Sequence, residues 1–444
     1  MQTKRAVALA ITTLTTGFLA ACQTTTTTPP SATSPAPASP VAATPSPAAT
    51  TPAGGEGGLK IGSLLPSTGD LASIGQLMVA AVPMAVETAN KCGGVNGKPV
   101  TLVAEDDQTN PATGTTAMTK LAEVDKVAGV VGSFASSVSS AAVDIAVRNK
   151  VMLVSPGSTS PVFTERAKKG EFQGFWARTA PPDTYQAAAL ANLAKERGFK
   201  RVSTVVINND YGVGFEKAFV EAFEKLGGTV VNKDKPTRYD PKATTLDTEA
   251  AAAFAGKPDA VVAVVYAETG SIFLKSAFQQ GVSQGVTVML TDGAYSPTFP
   301  EQVGKTADGK FILAGAVGTT PGADGKALAD FTKLWKEKQN RDVPPYAPQT
   351  WDATALLMLA AEAAKSNTGE GIKSKIREVA NAPGEEVSDV CQALELVRQG
   401  KDINYQGASG NVDIDENGDV VGSYDVWTVE PTGKLSVTGK VSPK

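Results

Sequence analysis

The chain has 444 residues, a net charge of −4 and no histidine. Acidic and basic residues are interspersed along it, so no basic patch suggests a nucleic-acid partner. Without histidine there is no Ser-His or Cys-His nucleophile pair, and the commonest general base is missing. We therefore expect no enzyme, no metal site and no cofactor.

The N-terminal segment is typical of an export signal. Lys4 and Arg5 precede the apolar run AVALAITTLTTGFLAAC, which is too short and too rich in threonine to be a good membrane span. The last four letters, LAAC, resemble a lipobox. That resemblance makes residues 1–22 a lipoprotein signal peptide and places lipid on Cys22. An ordinary signal peptide followed by a stray cysteine is the alternative.

Residues 23–58 consist mainly of Thr, Pro, Ala, Ser and Gly, and they contain no aromatic residue. Such a segment cannot bury enough apolar surface to fold, so we predict a disordered tether. Signal, lipid and tether together predict a soluble body held at a membrane surface in the cell envelope, outside the cytoplasm.

Two further cysteines, Cys92 and Cys391, lie in that body. An exported protein folds in an oxidising compartment, so the pair is expected to form one disulfide, with two buried free thiols as the alternative.

Strand-like and helix-like segments alternate from residue 59 onward. The first group has strands at 59–65, 100–106, 127–133 and 151–155, with helices at 74–90, 111–123 and 138–149. The second group has strands at 201–207, 228–234, 259–266 and 286–292, with helices at 215–226, 246–254 and 271–280. A strand at 311–318, helices at 325–338, 353–365 and 389–399, and an edge hairpin strand at 422–430 follow. This alternation predicts an α/β protein of two doubly wound lobes with parallel sheets.

Ligands of open α/β sheets bind beyond the carboxyl ends of the strands, so the loops after strands are the candidate site. In the first lobe, Ser136 stands at the start of a helical pattern, where hydroxyls and free N–H groups favour an anion; plain helix capping is the alternative. The next loop, SPGSTSP, offers Gly157 and Thr159, with an ordinary turn as the alternative. Together the two loops predict a site for a small carboxylate.

In the second lobe, Asp292 follows a strand and has no local cation, so it could pair with a ligand ammonium; Asp-Gly turn chemistry is the alternative. Judged singly, each of three tyrosines is more typical of a core position than of a ligand contact: Tyr211, Tyr266 and Tyr346. Tyr211 lies in NNDYGVGF, which lacks the third glycine of a dinucleotide fingerprint. The segment DIDENGD begins like a calcium loop, but position twelve is Tyr424, so a hairpin turn fits better.

Seven segments carry a family resemblance: KIGSLLPSTGDLASIG, VVGSFASS, LVSPGSTSP, FWARTAPPD, NNDYGVGF, LTDG and YQGASGNVDIDENGDVVG. In this order they resemble the branched-chain amino-acid receptors among periplasmic binding proteins, and most closely the neutral amino-acid receptors of cyanobacterial-type importers. The resemblance covers residues 59–444.

The resemblance implies a type I fold of two Rossmann-like lobes joined by three crossovers. Lobe 1 would comprise residues 59–180 and 319–415, and lobe 2 residues 181–318 and 416–444. Both cysteines of the predicted disulfide would then belong to lobe 1.

The resemblance also implies ligand contacts. The matching positions are Ser136, Gly157, Thr159, Tyr211, Asp292, Tyr266 and Tyr346. Ser136 would bind the α-carboxylate and Asp292 the α-ammonium, and Ile74 would stand where the family often has an aromatic residue. The implied function is capture of neutral amino acids by lobe closure, with delivery by a monomer to the permease subunits of an ABC importer. A receptor for urea, amides or small carboxylates, or a sensor of the same fold, is the alternative.

Overall fold

The computed structural model describes residues 57–441. The predicted signal peptide, Cys22 and almost all of the tether lie outside the described residues.

Lobe 1 is built on a five-stranded parallel sheet with the order β2-β1-β3-β4-β5. Its strands are β1 (Lys60–Leu65), β2 (Thr101–Asp106), β3 (Gly129–Gly132), β4 (Met152–Ser155) and β5 (Trp176–Arg178). Its first helices are α1 (Ala72–Met78), α2 (Ala81–Lys91), α3 (Pro111–Thr119), α4 (Ser136–Arg148) and α5 (Val162–Lys168). Because β1 and β3 are neighbours while β2 lies on the far side of β1, the loops after β1 and β3 flank the switch point of this sheet.

Lobe 2 is built on an eight-stranded sheet with the order β15-β14-β11-β10-β9-β6-β7, and β8 also pairs with β6. Its strands are β6 (Arg201–Ile207), β7 (Thr229–Val230), β8 (Thr237–Tyr239), β9 (Ala260–Val264), β10 (Thr287–Leu290), β11 (Val317–Pro321), β14 (Tyr424–Val429) and β15 (Leu435–Val441). Its helices are α6 (Asp183–Glu196), α7 (Asp210–Lys225), α8 (Asp247–Phe254), α9 (Ala267–Gln279) and α10 (Phe299–Val303). The switch point lies between β6 and β9.

After β11 the chain returns to lobe 1. It forms α11 (Leu328–Gln339), α12 (Ala347–Ala363), α13 (Gly369–Ala380), β12 (Glu385–Val387), α14 (Val390–Arg398) and β13 (Ile403–Tyr405). Helix α12 is buried over nearly its whole length and packs against α2, β3 and β4. A disulfide joins Cys92, after α2, to Cys391 in α14, with their Cα atoms 5.6 Å apart.

The predicted α/β architecture is confirmed, with several local corrections. The strand expected at 311–318 begins only at Val317, and the one expected at 228–234 has two residues. The helix expected at 74–90 is the pair α1 and α2. The predicted hairpin forms, but β15 rather than β14 is its edge strand. The predicted lobe boundary at residue 318 falls inside β11, which pairs with lobe 2 strands along its length.

Helices α1 and α2 run together over Ala72–Lys91, a stretch that is long and apolar enough by length and composition to cross a membrane. Half of it is buried inside the protein, and a core helix passes the same test, so the finding is weak evidence for a span.

The DIDENGD turn lies on the third crossover and its carboxylates have partners. Asp415 Oδ1 accepts hydrogen bonds from the Asn417 N–H (2.8 Å) and the Asp419 N–H (2.9 Å). Asp419 forms a buried ion pair with Arg178, at 2.7 Å from Nη2. Arg178 Nη1 also donates to the carbonyls of Ser158 and Ser160, both at 3.0 Å. The turn therefore braces the loop after β4 instead of forming a calcium site.

Candidate functional site

The serine, threonine, glycine and proline residues of the segment SPGSTSP, which begins with the last residue of β4, mainly connect two neighbouring loops by hydrogen bonds. Ser155 Oγ donates to the carbonyl of Ser133 (2.5 Å), and Ser158 Oγ donates to the carbonyls of Ser133 (3.0 Å) and Phe134 (3.1 Å). All of these groups are buried. Because folding satisfies them internally, the loops after β3 and β4 form one rigid surface at the carboxyl ends of the strands.

Gly157 is fixed by packing. A Cβ atom built on this residue would lie 2.2 Å from the ring of Phe134, which is too close for any side chain. Glycine therefore lets the loop sit directly against the aromatic ring that lines the cleft.

The hydroxyls of Ser136 and Thr159 donate no hydrogen bond within these two loops. Helix α4 begins at Ser136 and its N-cap is Ala135, so Ser136 is not the capping residue that the sequence suggested. Its Oγ accepts a long hydrogen bond from the Ser160 N–H (3.3 Å). The buried hydroxyl of Thr159 has no hydrogen-bond partner among the described residues. Both hydroxyls can thus bind a ligand oxygen or nitrogen.

Asp292 lies beyond β10 in lobe 2 and is buried. Its Oδ1 accepts from the Tyr211 hydroxyl (2.9 Å) and its Oδ2 from the Tyr346 hydroxyl (2.7 Å). Burial raises the pKa of this carboxyl, and the tyrosine hydrogen bonds only partly oppose the rise. No cationic side chain bonds to Asp292 within residues 57–441.

Tyr346 belongs to lobe 1, so its hydrogen bond to Asp292 crosses the cleft. Its φ angle of 64° is unusual for a bulky residue, and such strain costs on the order of 1–3 kcal/mol. The ring packs edge-on against Phe134 at a centroid distance of 4.6 Å. The strained backbone directs the hydroxyl toward the carboxylate, as functional sites often require.

Tyr211 and Tyr266 follow β6 and β9, the two strands that flank the lobe 2 switch point. Their rings stack at 5.7 Å with an interplanar angle of 7°. The Tyr266 hydroxyl accepts from Asn209 Nδ2 at 3.2 Å. The pair forms an apolar wall with polar edges on the lobe 2 side.

Five of the seven predicted residues line one cavity between the lobes. The cavity is lined by Leu71, Phe134, Ala135, Ser136, Gly157, Tyr211, Tyr266, Asp292 and Gly293. Thr159 and Tyr346 are not among the lining residues, but the Tyr346 hydroxyl donates to Asp292, which is. Leu71, not Ile74, contributes the side chain from the loop after β1, and Ile74 is buried in the core.

The cavity volume is ≈ 10 Å³, about the space that one water molecule needs. Ligand pockets commonly reach about 300–1,000 Å³. This cavity is too small for an amino acid, and the hydrogen bond from Tyr346 to Asp292 joins the lobes beside it, so the lobes are closed here and must move apart to admit a ligand. A larger pocket of ≈ 670 Å³ between the lobes shares Tyr266 with this cavity and is also lined by Ser137 and Glu268.

Asp183 is a site residue that the sequence reasoning missed. It is the first residue of α6, it is fully buried, and neither carboxylate oxygen has a hydrogen-bond partner among the described residues. Its backbone N–H donates to the carbonyl of Thr159 at 2.8 Å, which holds it against the lobe 1 loop. Burial, and then the negative charge of Asp292, raise the pKa of Asp183 well above its ordinary value. The only sequence signal was an acidic residue after two prolines in FWARTAPPD.

The geometry matches a family of receptors. A family model described as "Receptor family ligand binding region" matches residues 77–432. The chain belongs to this family. Its members and the relatives below are ligand-binding proteins, so the chain is a binding protein and not an enzyme.

Two relatives illustrate the similarity in sequence. The chemotactic signal transduction system substrate-binding protein BasB of Halobacterium salinarum is 28% identical over 362 residues, which are 80% of this chain and 83% of BasB. The Leu/Ile/Val-binding protein BraC3 of Rhizobium johnstonii is 30% identical over 273 residues, 61% of this chain and 71% of BraC3.

Solved structures of this receptor family share the fold, which is that of type I periplasmic binding proteins. The leucine-binding protein LivK of Thermotoga maritima superposes with a TM-score of 0.72 at 27% identity, covering 87% of this chain and 99% of LivK. LivJ of Streptococcus pneumoniae, solved with isoleucine, gives 0.70 at 21% identity, covering 87% of this chain and all of LivJ. A solute-binding protein of R. palustris, solved with benzoate, also gives 0.70 at 19% identity, covering 87% of this chain and 97% of that protein.

Proposed function

We propose that this protein captures neutral α-amino acids, branched-chain and other aliphatic ones in particular, between its lobes and delivers them to an ABC importer. One observation carries the proposal: Asp292 is a buried carboxylate that lines the cavity between the lobes, and neither it nor the buried Asp183, which lies close enough to feel its charge, bonds to a cation within residues 57–441. A ligand ammonium would supply the missing positive charge.

The lobe 1 side of the cleft suits a carboxylate. The hydroxyls of Ser136 and Thr159, with the N–H groups in the first turn of α4, provide donors at a positive helix end, whereas the Gly157 and Ser158 N–H groups already donate to Ser155 Oγ. A zwitterion would satisfy both ends at once. A simple carboxylate such as benzoate, which a relative of the same fold binds, would leave both aspartates without a cationic partner.

The remaining walls favour an apolar side chain. Leu71, Phe134 and Tyr266 line the cavity between the charged ends. Such a surface excludes charged side chains but distinguishes one methylene from another by only about 1–3 kcal/mol, so several neutral amino acids should bind.

Closure would follow from the division of these contacts. Ser136, Gly157 and Thr159 lie in lobe 1, whereas Asp292 and Tyr211 lie in lobe 2. An amino acid that contacts both sets binds the closed form more tightly, and that difference in affinity drives closure.

Delivery to an importer rests on relatives named for Leu/Ile/Val binding and on a solved transporter component that carries isoleucine. The similarity to BasB, which is named for chemotactic signalling, favours a sensing role as the second candidate. Loss of amino-acid uptake when the gene is deleted supports transport, whereas normal uptake with lost chemotaxis toward amino acids supports sensing.

Thermal unfolding of the ligand-free protein tests the ligand class. A ligand present at about 100 times its Kd adds about 2.7 kcal/mol to the free energy of unfolding. We expect several neutral amino acids to raise the unfolding temperature, and lysine, glutamate, urea and benzoate to leave it unchanged. A rise in the unfolding temperature with urea or benzoate alone would contradict the proposal that the ligand is a neutral amino acid.

We also propose that Cys22 carries the lipid that anchors the protein in the cell envelope. The support is the sequence LAAC after an apolar run, all of it outside the described residues. The protein should fractionate with membranes, and Cys22→Ser should abolish incorporation of labelled fatty acid. Equal labelling of the Cys22→Ser protein would refute lipidation at this residue.

A further inference from the structure

One polar contact crosses the cleft without involving the proposed ligand site. Glu268 lies in the first turn of α9 in lobe 2, and its Oε1 accepts a hydrogen bond from the Ser73 N–H in α1 of lobe 1 at 3.0 Å. Glu268 does not line the small cavity that holds Asp292. It lies instead, with Ser137 and Tyr266, on the wall of the larger pocket between the lobes.

The donor has no competing acceptor in its own helix. A helix leaves its first N–H groups unpaired, and the N-cap of α1, Leu71, offers no side-chain acceptor. The Ile74 and Gly75 N–H groups turn back to the Leu71 carbonyl, which leaves the Ser73 N–H for Glu268. A side chain of the opposite lobe thus provides the cap that α1 lacks.

The partly buried position of Glu268 lets its carboxylate charge strengthen the hydrogen bond from the Ser73 N–H. Glu268 is half-buried, and its Oε2 is shielded from water with no hydrogen-bond partner. Hydrogen bonds to an ionised carboxylate are shorter and stronger than those between neutral groups. The contact exists only when the lobes are closed, because its two halves lie on different lobes.

We propose that Glu268 is a positioning residue that latches the closed form by capping α1 across the cleft, and so slows release of the ligand. The proposal rests on the proposed function, because it assumes that closure retains an amino acid. It goes beyond that function in assigning part of the retention to a residue that does not contact the ligand. Association, which begins from the open form, should not depend on the latch.

The test compares dissociation of L-leucine from the full chain and three variants by stopped-flow. Glu268→Ala removes the acceptor and is expected to release leucine roughly 10- to 100-fold faster, in line with a hydrogen bond to a charged group. Glu268→Gln keeps a carbonyl acceptor without the charge. Its rate of leucine release should lie between the rates of Glu268→Ala and wild type. Glu301→Ala is the matched control, since Glu301 is a first-turn glutamate of lobe 2 that pairs with Lys305 of the same lobe.

A second readout separates the latch from a purely structural role and from the identity of the ligand. Amide hydrogen exchange at Ser73 in the leucine-saturated protein, where the lobes are closed, should be faster in Glu268→Ala than in wild type, with the unfolding temperature of the ligand-free protein unchanged. If leucine does not bind the wild-type protein, the proposed function fails, and release and exchange are compared with the ligand that raises the unfolding temperature in the screen described above. Unchanged release of the bound ligand together with unchanged exchange at Ser73 would overturn the latch.

Discussion

Asp292→Ala is expected to weaken L-leucine binding by at least about 10²-fold, because breaking a buried charge pair costs about 3–5 kcal/mol and each 1.4 kcal/mol is tenfold. The ligand ammonium would enter a closed cleft that has lost its lobe 2 counter-charge. We expect the variant to fold, because burial of the ionised carboxylate is unfavourable in the ligand-free protein, as the raised pKa of Asp292 shows. Calorimetric titration gives the affinity, and thermal unfolding of the ligand-free protein reports on the fold.

The control for Asp292→Ala is Asp425→Ala, which removes a half-buried aspartate from the lobe 2 sheet outside the cleft. Asp425 pairs with Lys440 and not with the proposed ligand. Leucine affinity within about threefold of wild type is expected for this control. Near-normal leucine affinity in Asp292→Ala itself would contradict the proposal that Asp292 pairs with the ligand ammonium.

Asp183→Asn is expected to change binding and stability in opposite directions. Leucine affinity should fall by roughly 10- to 100-fold, because a hydrogen bond from an ammonium to a charged acceptor contributes about 1.5–3 kcal/mol. The ligand-free protein should become more stable at neutral pH, because the asparagine side chain keeps the shape and removes a buried charge whose oxygens have no partner among residues 57–441. A gain of about 1 kcal/mol corresponds to a rise of roughly 1 °C in the unfolding temperature of a protein of this size.

The pH dependence of Asp183→Asn gives an internal check. The pKa of Asp183 in the folded protein is raised above its unfolded value, so its contribution to stability is present at low pH and lost as the pH rises through the folded pKa. The difference in unfolding temperature between the variant and wild type should therefore widen from acid to neutral pH. An asparagine variant that is less stable than wild type at pH 7 would show that Asp183 has a structural partner, and would contradict its assignment to the ligand.

The repeating strands and helices were predictable because apolar β-branched runs and helical periodicity are local properties. The same holds for the hydroxyl-rich loop after β4 and for Asp292, which directly follow buried strands at the edge where ligands bind. Strands β4 and β10 are each the neighbour of a strand that flanks a switch point, β3 and β9 respectively, so a local pattern and a general rule of α/β folds located most of the site.

The missed features depend on contacts that are distant in sequence. Asp183 looks like an ordinary first-turn acid of a helix, and only the loop after β4 and lobe 2 bury it. Leu71 replaces Ile74 in the cavity because α1 begins between them, which turns Ile74 toward the core. The left-handed backbone of Tyr346 and the cross-cleft contact of Glu268 have no signal in their neighbouring residues.

The central claim is that the cleft binds both ends of a zwitterion. Calorimetric titration of the ligand-free protein with L-leucine and with 4-methylpentanoate, which is leucine without its amino group, tests it most directly. Sites built to hydrogen-bond a polar group reject the analogue that lacks it by about 10⁴–10⁵-fold. We predict that 4-methylpentanoate binds at least about 10³-fold more weakly than leucine. Binding of the deaminated acid within about tenfold of leucine would contradict the roles of Asp183 and Asp292 and leave a carboxylate receptor on the same fold.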